Sequence, residues 1–103
     1  MSAALIWCPF ASEDDAARAA AQLLDEGLVA CANLVPGLRS LYVSNGERGE
    51  ARECGALFKT AAGLLDQAVA RLAAIHPYDT PAIVGWRADA TAPATAAWLG
   101  ELA

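Results

Sequence analysis

Apolar and polar positions follow two rhythms along this chain, and the change from one to the other marks its elements. Ala4-Leu5-Ile6-Trp7-Cys8 is an unbroken apolar run of strand length, and Pro9-Phe10 closes it. Ala16, Ala20, Leu23 and Leu24 then recur at helical spacing, which predicts a helix from 13 to about 26. Ser12 offers a hydroxyl cap, Glu13, Asp14 and Asp15 suit the positive end of the helix dipole, and Gly27 supplies a stop. From Leu28 the pattern becomes strand-like, over 28–35 and again over 38–43, with Pro36-Gly37 between. Asn45-Gly46 is a strong short hairpin signal. The return strand covers about 50–60, with Cys54, Ala56 and Phe58 on one face and Gly55, Leu57 and Lys59 on the other. Leu64, Leu65, Ala68, Val69, Leu72 and Ile75 form the stripe of a second helix over 61–75, with Asp66, Gln67 and Arg71 off it. His76-Pro77 ends that helix, because a residue before proline is pushed out of helical space. A fourth strand is expected over 81–87. Thr91 can cap a last helix over 92–102, with Pro93 in its first turn and Trp98 and Leu102 stapling it at i and i+4.

The order β-α-β-β-α-β-α predicts an α+β fold: a ferredoxin-like βαββαβ sandwich with an added C-terminal helix and a long central hairpin, in a single domain over 1–103. Each straightened hairpin arm would span roughly 50 Å at ~3.3 Å per residue, against a radius of gyration of about 13 Å for a domain of this size. The arms therefore bend at Pro36-Gly37 or project beyond the domain. A projecting hairpin has unpaired edges, which a second copy can satisfy.

Composition points the same way. Apolar residues make up 56% of the chain and charged residues 18%, more apolar surface than a small monomer hides well, so an oligomer is expected. The net charge of −5 and the lack of a Lys/Arg cluster argue against binding nucleic-acid phosphates. The start of the chain has no charged n-region followed by a long apolar stretch, and no window reaches transmembrane length, so no membrane partner is expected. Three cysteines without tight spacing suit a reducing cytoplasm, where Cys31 and Cys54 are expected in the core.

Candidate chemistry gathers at His76-Pro77-Tyr78-Asp79-Thr80-Pro81, a stiff helix-to-strand joint with the only imidazole in the chain. Cys8 and His76 could act as metal ligands with Asp79 as a third. Alternatively, Cys8 is a packed strand residue and His76 caps helix carbonyls. A Cys/His nucleophilic pair lacks any recognisable orienting group, so no enzyme is expected. Tyr42 and Tyr78 line a cleft between subunits or pack at an interface. Lys59 faces a pocket between subunits with Glu53 or Asp79, as an ion pair or as an anion site.

Two segments together carry a family likeness. The run 28–42, with its Ala30-Cys31-Ala32-Asn33-Leu34-Val35-Pro36 core followed by Ser40 and Tyr42, resembles the A-C-x-(N/I)-(L/I)-x-P core and following S-x-Y of the CutA divalent-cation-tolerance family. His76-Pro77-Tyr78-Asp79-Thr80-Pro81 is similar to that family's H-P-Y-(E/D/Q)-x-P signature, and Lys59-Thr60 also fits. The resemblance implies a ferredoxin-like subunit of a homotrimer, a role in tolerance of copper and other divalent metals, and binding of an ion such as Cu or Zn. The family's metal-associated Cys and His fall on Cys8 and His76. Its Glu position holds Ala82, which leaves Asp79 as the nearest acid. Ser44 replaces the usual hairpin Trp, and Gly46-Glu47 replaces Gly-Lys. The contrasting reading is a small-molecule sensor or partner-binding module that uses clefts between subunits without metal.

Overall fold

The computed structural model describes residues 2–102, so Met1 and Ala103 at the ends of the expected domain lie outside the described residues. The elements are β1 (Ala3–Phe10), α1 (Glu13–Asp25), β2 (Cys31–Ser44), β3 (Glu47–Ala61), α2 (Leu65–Ile75), β4 (Val84–Arg87) and α3 (Pro93–Gly100). One antiparallel sheet runs in the order β2-β3-β1-β4, with α1 and α2 on one side. This is the expected α+β ferredoxin-like arrangement with its extra helix.

The first helix forms as its sequence dictates. Ser12 Oγ accepts the Asp15 N–H at 3.1 Å, and Gly27 leaves the helix at φ +72°. Ala16, Ala19, Ala20 and Leu23 are buried, whereas Leu24, expected on the same stripe, is exposed. They meet Ile6, Cys8 and Phe10 of β1, Cys54, Ala56 and Phe58 of β3, and Leu65, Ala68 and Leu72 of α2. Glu26 and Arg71 form a two-pronged ion pair, Nε–Oε1 2.8 Å and Nη2–Oε2 2.9 Å, that links the C-terminal end of α1 to α2. Thr60 is fully buried and donates its hydroxyl to the Leu28 carbonyl at 2.7 Å, which fixes the entry into β2.

Several boundaries differ from those the sequence suggested. The two runs at 28–35 and 38–43 belong to one strand, interrupted where Val35 pairs with Gly55 and Leu38 with Glu53. Two residues, Pro36 and Gly37, thus oppose Cys54 alone, with Gly37 at φ +80°. This is a bulge, and it satisfies both expectations, since the hairpin bends there and also projects. The molecule measures 43 × 26 × 22 Å. At the tip, Asn45 and Gly46 both have positive φ, as a tight two-residue hairpin turn requires. Ala61 ends β3, and a turn of 3₁₀-helix (Ala62–Leu64) precedes α2. At α3, Ala92 occupies the cap position without a side-chain bond, so Thr91 does not cap. Leu99 is the buried anchor of that helix, while Trp98 is exposed.

The strand β1 continues through Pro9 and Phe10, which pair with Gly55 and Cys54, instead of closing at Cys8. On its other side β4 covers it only from Ala4 to Trp7 and starts at Val84, three residues later than expected. Pro9 has no N–H to offer the rung where β4 would continue.

Residues paired across strands share a face. Cys31, Lys59, Leu5 and Trp86 form one row on the side away from α1 and α2, and Asn33, Leu57, Trp7 and Val84 form the next. Cys31 is therefore on the outer face, half-buried, and not in the core. Past the bulge the alternation of β2 changes phase: Val35 faces outward before it, whereas Leu38 and Tyr42 do so after it.

Replacing Thr60 by Val removes the bond to Leu28 O and leaves that carbonyl buried. Denaturant unfolding should show a loss of about 1–2 kcal/mol with an unchanged m value.

Candidate functional site

His76 is the C-terminal cap of α2, and the residue is buried, 7% exposed. The Tyr78 N–H donates to Nδ1 at 3.0 Å, so Nδ1 carries a lone pair and the imidazole proton sits on Nε2. That Nε2–H donates to the Pro9 carbonyl at 3.0 Å. The ring stacks on Phe10 with centroids 4.3 Å apart and planes 15° from parallel. Within a strand, N–H and C=O of one residue point the same way, and Pro9 has only the carbonyl. The imidazole thus occupies the rung that β4 leaves open.

Cys8 converges on the same oxygen: its Sγ lies 3.6 Å from Pro9 O, with the thiol as donor. The thiol is fully buried, and burial, aided by the Glu53 carboxylate, pushes its pKa up to about 12. The Tyr78 hydroxyl donates to Glu53 Oε2 at 2.7 Å. Burial first, and then that carboxylate, push the phenol above its ordinary value, so it remains a donor.

The structure therefore brings together Cys8, His76, Tyr78 and Glu53 around Pro9. Asp79 sits beside them in sequence but is exposed, with no hydrogen bond or ion pair among the described residues. Tyr42 lies over Gly49 on the hairpin, where an added Cβ would collide with the ring, and is nearly half exposed. Lys59 is six residues from Glu53 along β3, roughly 20 Å, so the two do not meet within one chain. Pro9 and Phe10 were missed as site residues because they read as the end of a strand. The clue was the proline itself, which lacks the N–H that a two-bond rung with a strand neighbour needs and leaves its carbonyl to a side-chain donor.

The donor set does not fit a metal ion as arranged. Both His76 nitrogens are engaged, the Cys8 thiol is held protonated, and Asp79 points to no shared centre. Among the described residues no group of three His, Cys, Asp or Glu side chains is placed to hold an ion. An open hollow of about 140 Å³ lies beside Glu53, lined by residues that include Ser12, Pro36, Gly37 and Arg52. It is smaller than the about 300 Å³ at which small-molecule pockets begin.

Residues 4–102 match the model of the CutA1 divalent ion tolerance protein family. The chain belongs to that family. It is 42% identical over 73 residues to the divalent-cation tolerance protein CutA of Thermus thermophilus, a span covering 71% of each chain. Its fold superposes on the crystal structure of the divalent ion tolerance protein CutA1 from Ehrlichia chaffeensis with a TM-score of 0.91 at 32% identity, covering 97% of this chain and 94% of that one. The structure of the periplasmic divalent cation tolerance protein CutA from Archaeoglobus fulgidus gives 0.90 at 26% identity, with 97% of each chain covered. Membership in the CutA1 family thus extends to the fold and the whole chain path. The arrangement of Cys8 and His76 around a carbonyl oxygen is read from this chain alone.

His76→Phe keeps a ring on Phe10 but removes both hydrogen bonds, and should cost about 2–3 kcal/mol in denaturant unfolding. Alkaline pH offers a second check. The folded Cys8 thiol titrates near 12 and the unfolded one near 9, so its contribution to stability is complete below pH 9 and is lost as pH rises from 9 to about 12. Cys8→Ala should reduce the slope of stability against pH in that window. It should not abolish it, because Cys54 and Tyr78 are shifted in the same direction.

Proposed function

We propose that this chain serves divalent-cation tolerance, copper included, as a cytoplasmic homotrimer without enzymatic activity, its whole length acting as one domain. The observation that carries the assembly is the outer side of the sheet. Val84 is 60% and Trp86 45% exposed there, and Val35 and Tyr42 of β2 are 42% and 47% exposed on the same side. Apolar groups in contiguous rows on a sheet with free edges require cover, and further copies of the same chain provide it by symmetry. Three free cysteines support a reducing compartment. The Archaeoglobus relative is described as periplasmic, so cell fractionation is the direct check on location.

Divalent ions are proposed to act on the assembled protein at surfaces between copies, not at a centre built from Cys8, His76 and Asp79 of one chain. The closed hydrogen bonding of His76 favours this form of the metal reading. It also supports the second reading, a sensor of small molecules in clefts between subunits. The hollow beside Glu53 is too small alone and would be enlarged by a neighbour's surface.

Light scattering should give the mass of three chains, and a monodisperse monomer would sink the assembly. Titration of the reduced protein with Cu(II) and Zn(II) separates the two readings. Binding near or below micromolar that survives Cys8→Ala plus His76→Ala supports ions at surfaces between copies. Its loss in that variant would restore the single-chain centre, and no binding at all would favour the sensor.

A further inference from the structure

The outer face of the sheet has one feature that its apolar character does not explain. Lys59 sits in the row with Cys31, Leu5 and Trp86, half-buried, and is the only charged residue in that row. The row on one side holds Asn33, Leu57, Trp7 and Val84, and on the other side Ala61 faces Ala3; neither carries a charge. The nearest carboxylate on this face of β3 is Glu53, roughly 20 Å away along the strand and already holding the Tyr78 hydroxyl. No carboxylate among the described residues lies within ion-pair distance of Lys59.

In a lone chain this ammonium reaches water. In the proposed trimer, on which this inference rests, the face is covered by identical faces. Rotational symmetry then adds a Lys59 from each copy and no acid from these rows. Ammonium groups drawn out of water without a counter-charge are strongly unfavourable. Their mutual repulsion adds to the cost, because like charges in a dry, apolar surrounding are poorly screened. A divalent cation would be repelled from such a chamber. A compact anion with two or three charges answers all three lysines at once, and a tetrahedral oxyanion offers oxygens in threefold array to three donors.

We infer that the assembled outer faces enclose a binding site for a small oxyanion of the phosphate class, held by the Lys59 side chains of all copies. An enclosed site takes the free ion and not a larger phosphorylated molecule. The site is separate from the Cys8–His76 cluster, which lies toward the opposite end of β1.

Calorimetric titration with inorganic phosphate, in chloride buffer of matched ionic strength, tests this alongside light scattering on the same samples. The expected result is a trimer that binds about one phosphate per three chains and whose thermal midpoint rises with phosphate beyond the chloride control. Lys59→Met and Lys59→Gln should remain trimeric and bind phosphate at least about tenfold more weakly, while Lys59→Arg retains binding. If Lys59→Met fails to fold, Lys59→Gln carries the comparison. A wild-type trimer without phosphate binding, or variants that bind it as well as wild type, would overturn the anion site and leave the assembly standing. A wild-type monomer would overturn the assembly and the site together.

Discussion

The hydrogen bond from the His76 imidazole to the Pro9 carbonyl is the constraint on which the rest of this end of the molecule depends. Proline in β1 creates a rung with an acceptor and no donor, which no ordinary strand neighbour can complete. A side chain does so instead. Because that side chain belongs to the residue that caps α2, the helix, the strand and the connection to β4 are tied at a single point. The same ring takes the Tyr78 N–H, which sets the backbone from which the phenol reaches Glu53. What could be taken for a set of ligands is a closed set of donors and acceptors.

This closure gives the two sides of the sheet different roles. Where α1 and α2 cover it, the helix side is complete within one chain, with Ile6, Phe10, Phe58, Leu23 and Leu72 fully buried, while Leu41 and Val43 farther out on the hairpin are exposed. The other side is finished only at one end, where Ala3 and Ala61 are buried and α3 packs on β1 and β3. From Trp86 out to Tyr42 the rest of that side is exposed or half-buried in the single chain. The CutA1 structures from Ehrlichia chaffeensis and Archaeoglobus fulgidus share the chain path that produces these two sides.

Much of this was legible in the sequence, for physical reasons that also explain where legibility stopped. Periodicity located α1, the hairpin and α2 because each has a local signal: a cap at Ser12, a turn at Asn45-Gly46 and an apolar stripe through Leu72. The family likeness rested on two segments whose prolines and tyrosines are rare enough to be informative. Three things were hidden. The end of β1 was misjudged because a proline normally breaks a strand, and its tolerance here depends on an imidazole 67 residues away. Burial of Leu99 in place of Trp98 depends on how α3 lies on the sheet, which its own weak pattern does not encode. The distance between Lys59 and Glu53 followed from their spacing on one strand, but the partner of Glu53 did not. Tyr78 comes from a different layer of the fold.

The bulge at Pro36-Gly37 gives the hairpin one place that can absorb a change of length. Elsewhere in a paired strand a lost residue shifts the register and exchanges the two faces beyond it. Here two residues oppose Cys54, so that Leu38, Ser40 and Tyr42 share the outer side while Arg39, Leu41 and Val43 take the other. Deleting either residue of the pair would restore regular alternation, with Leu38 still opposite Glu53 and every distal side chain on its present side. A strand that carries its extra residue at a bulge can lose that residue without turning inside out.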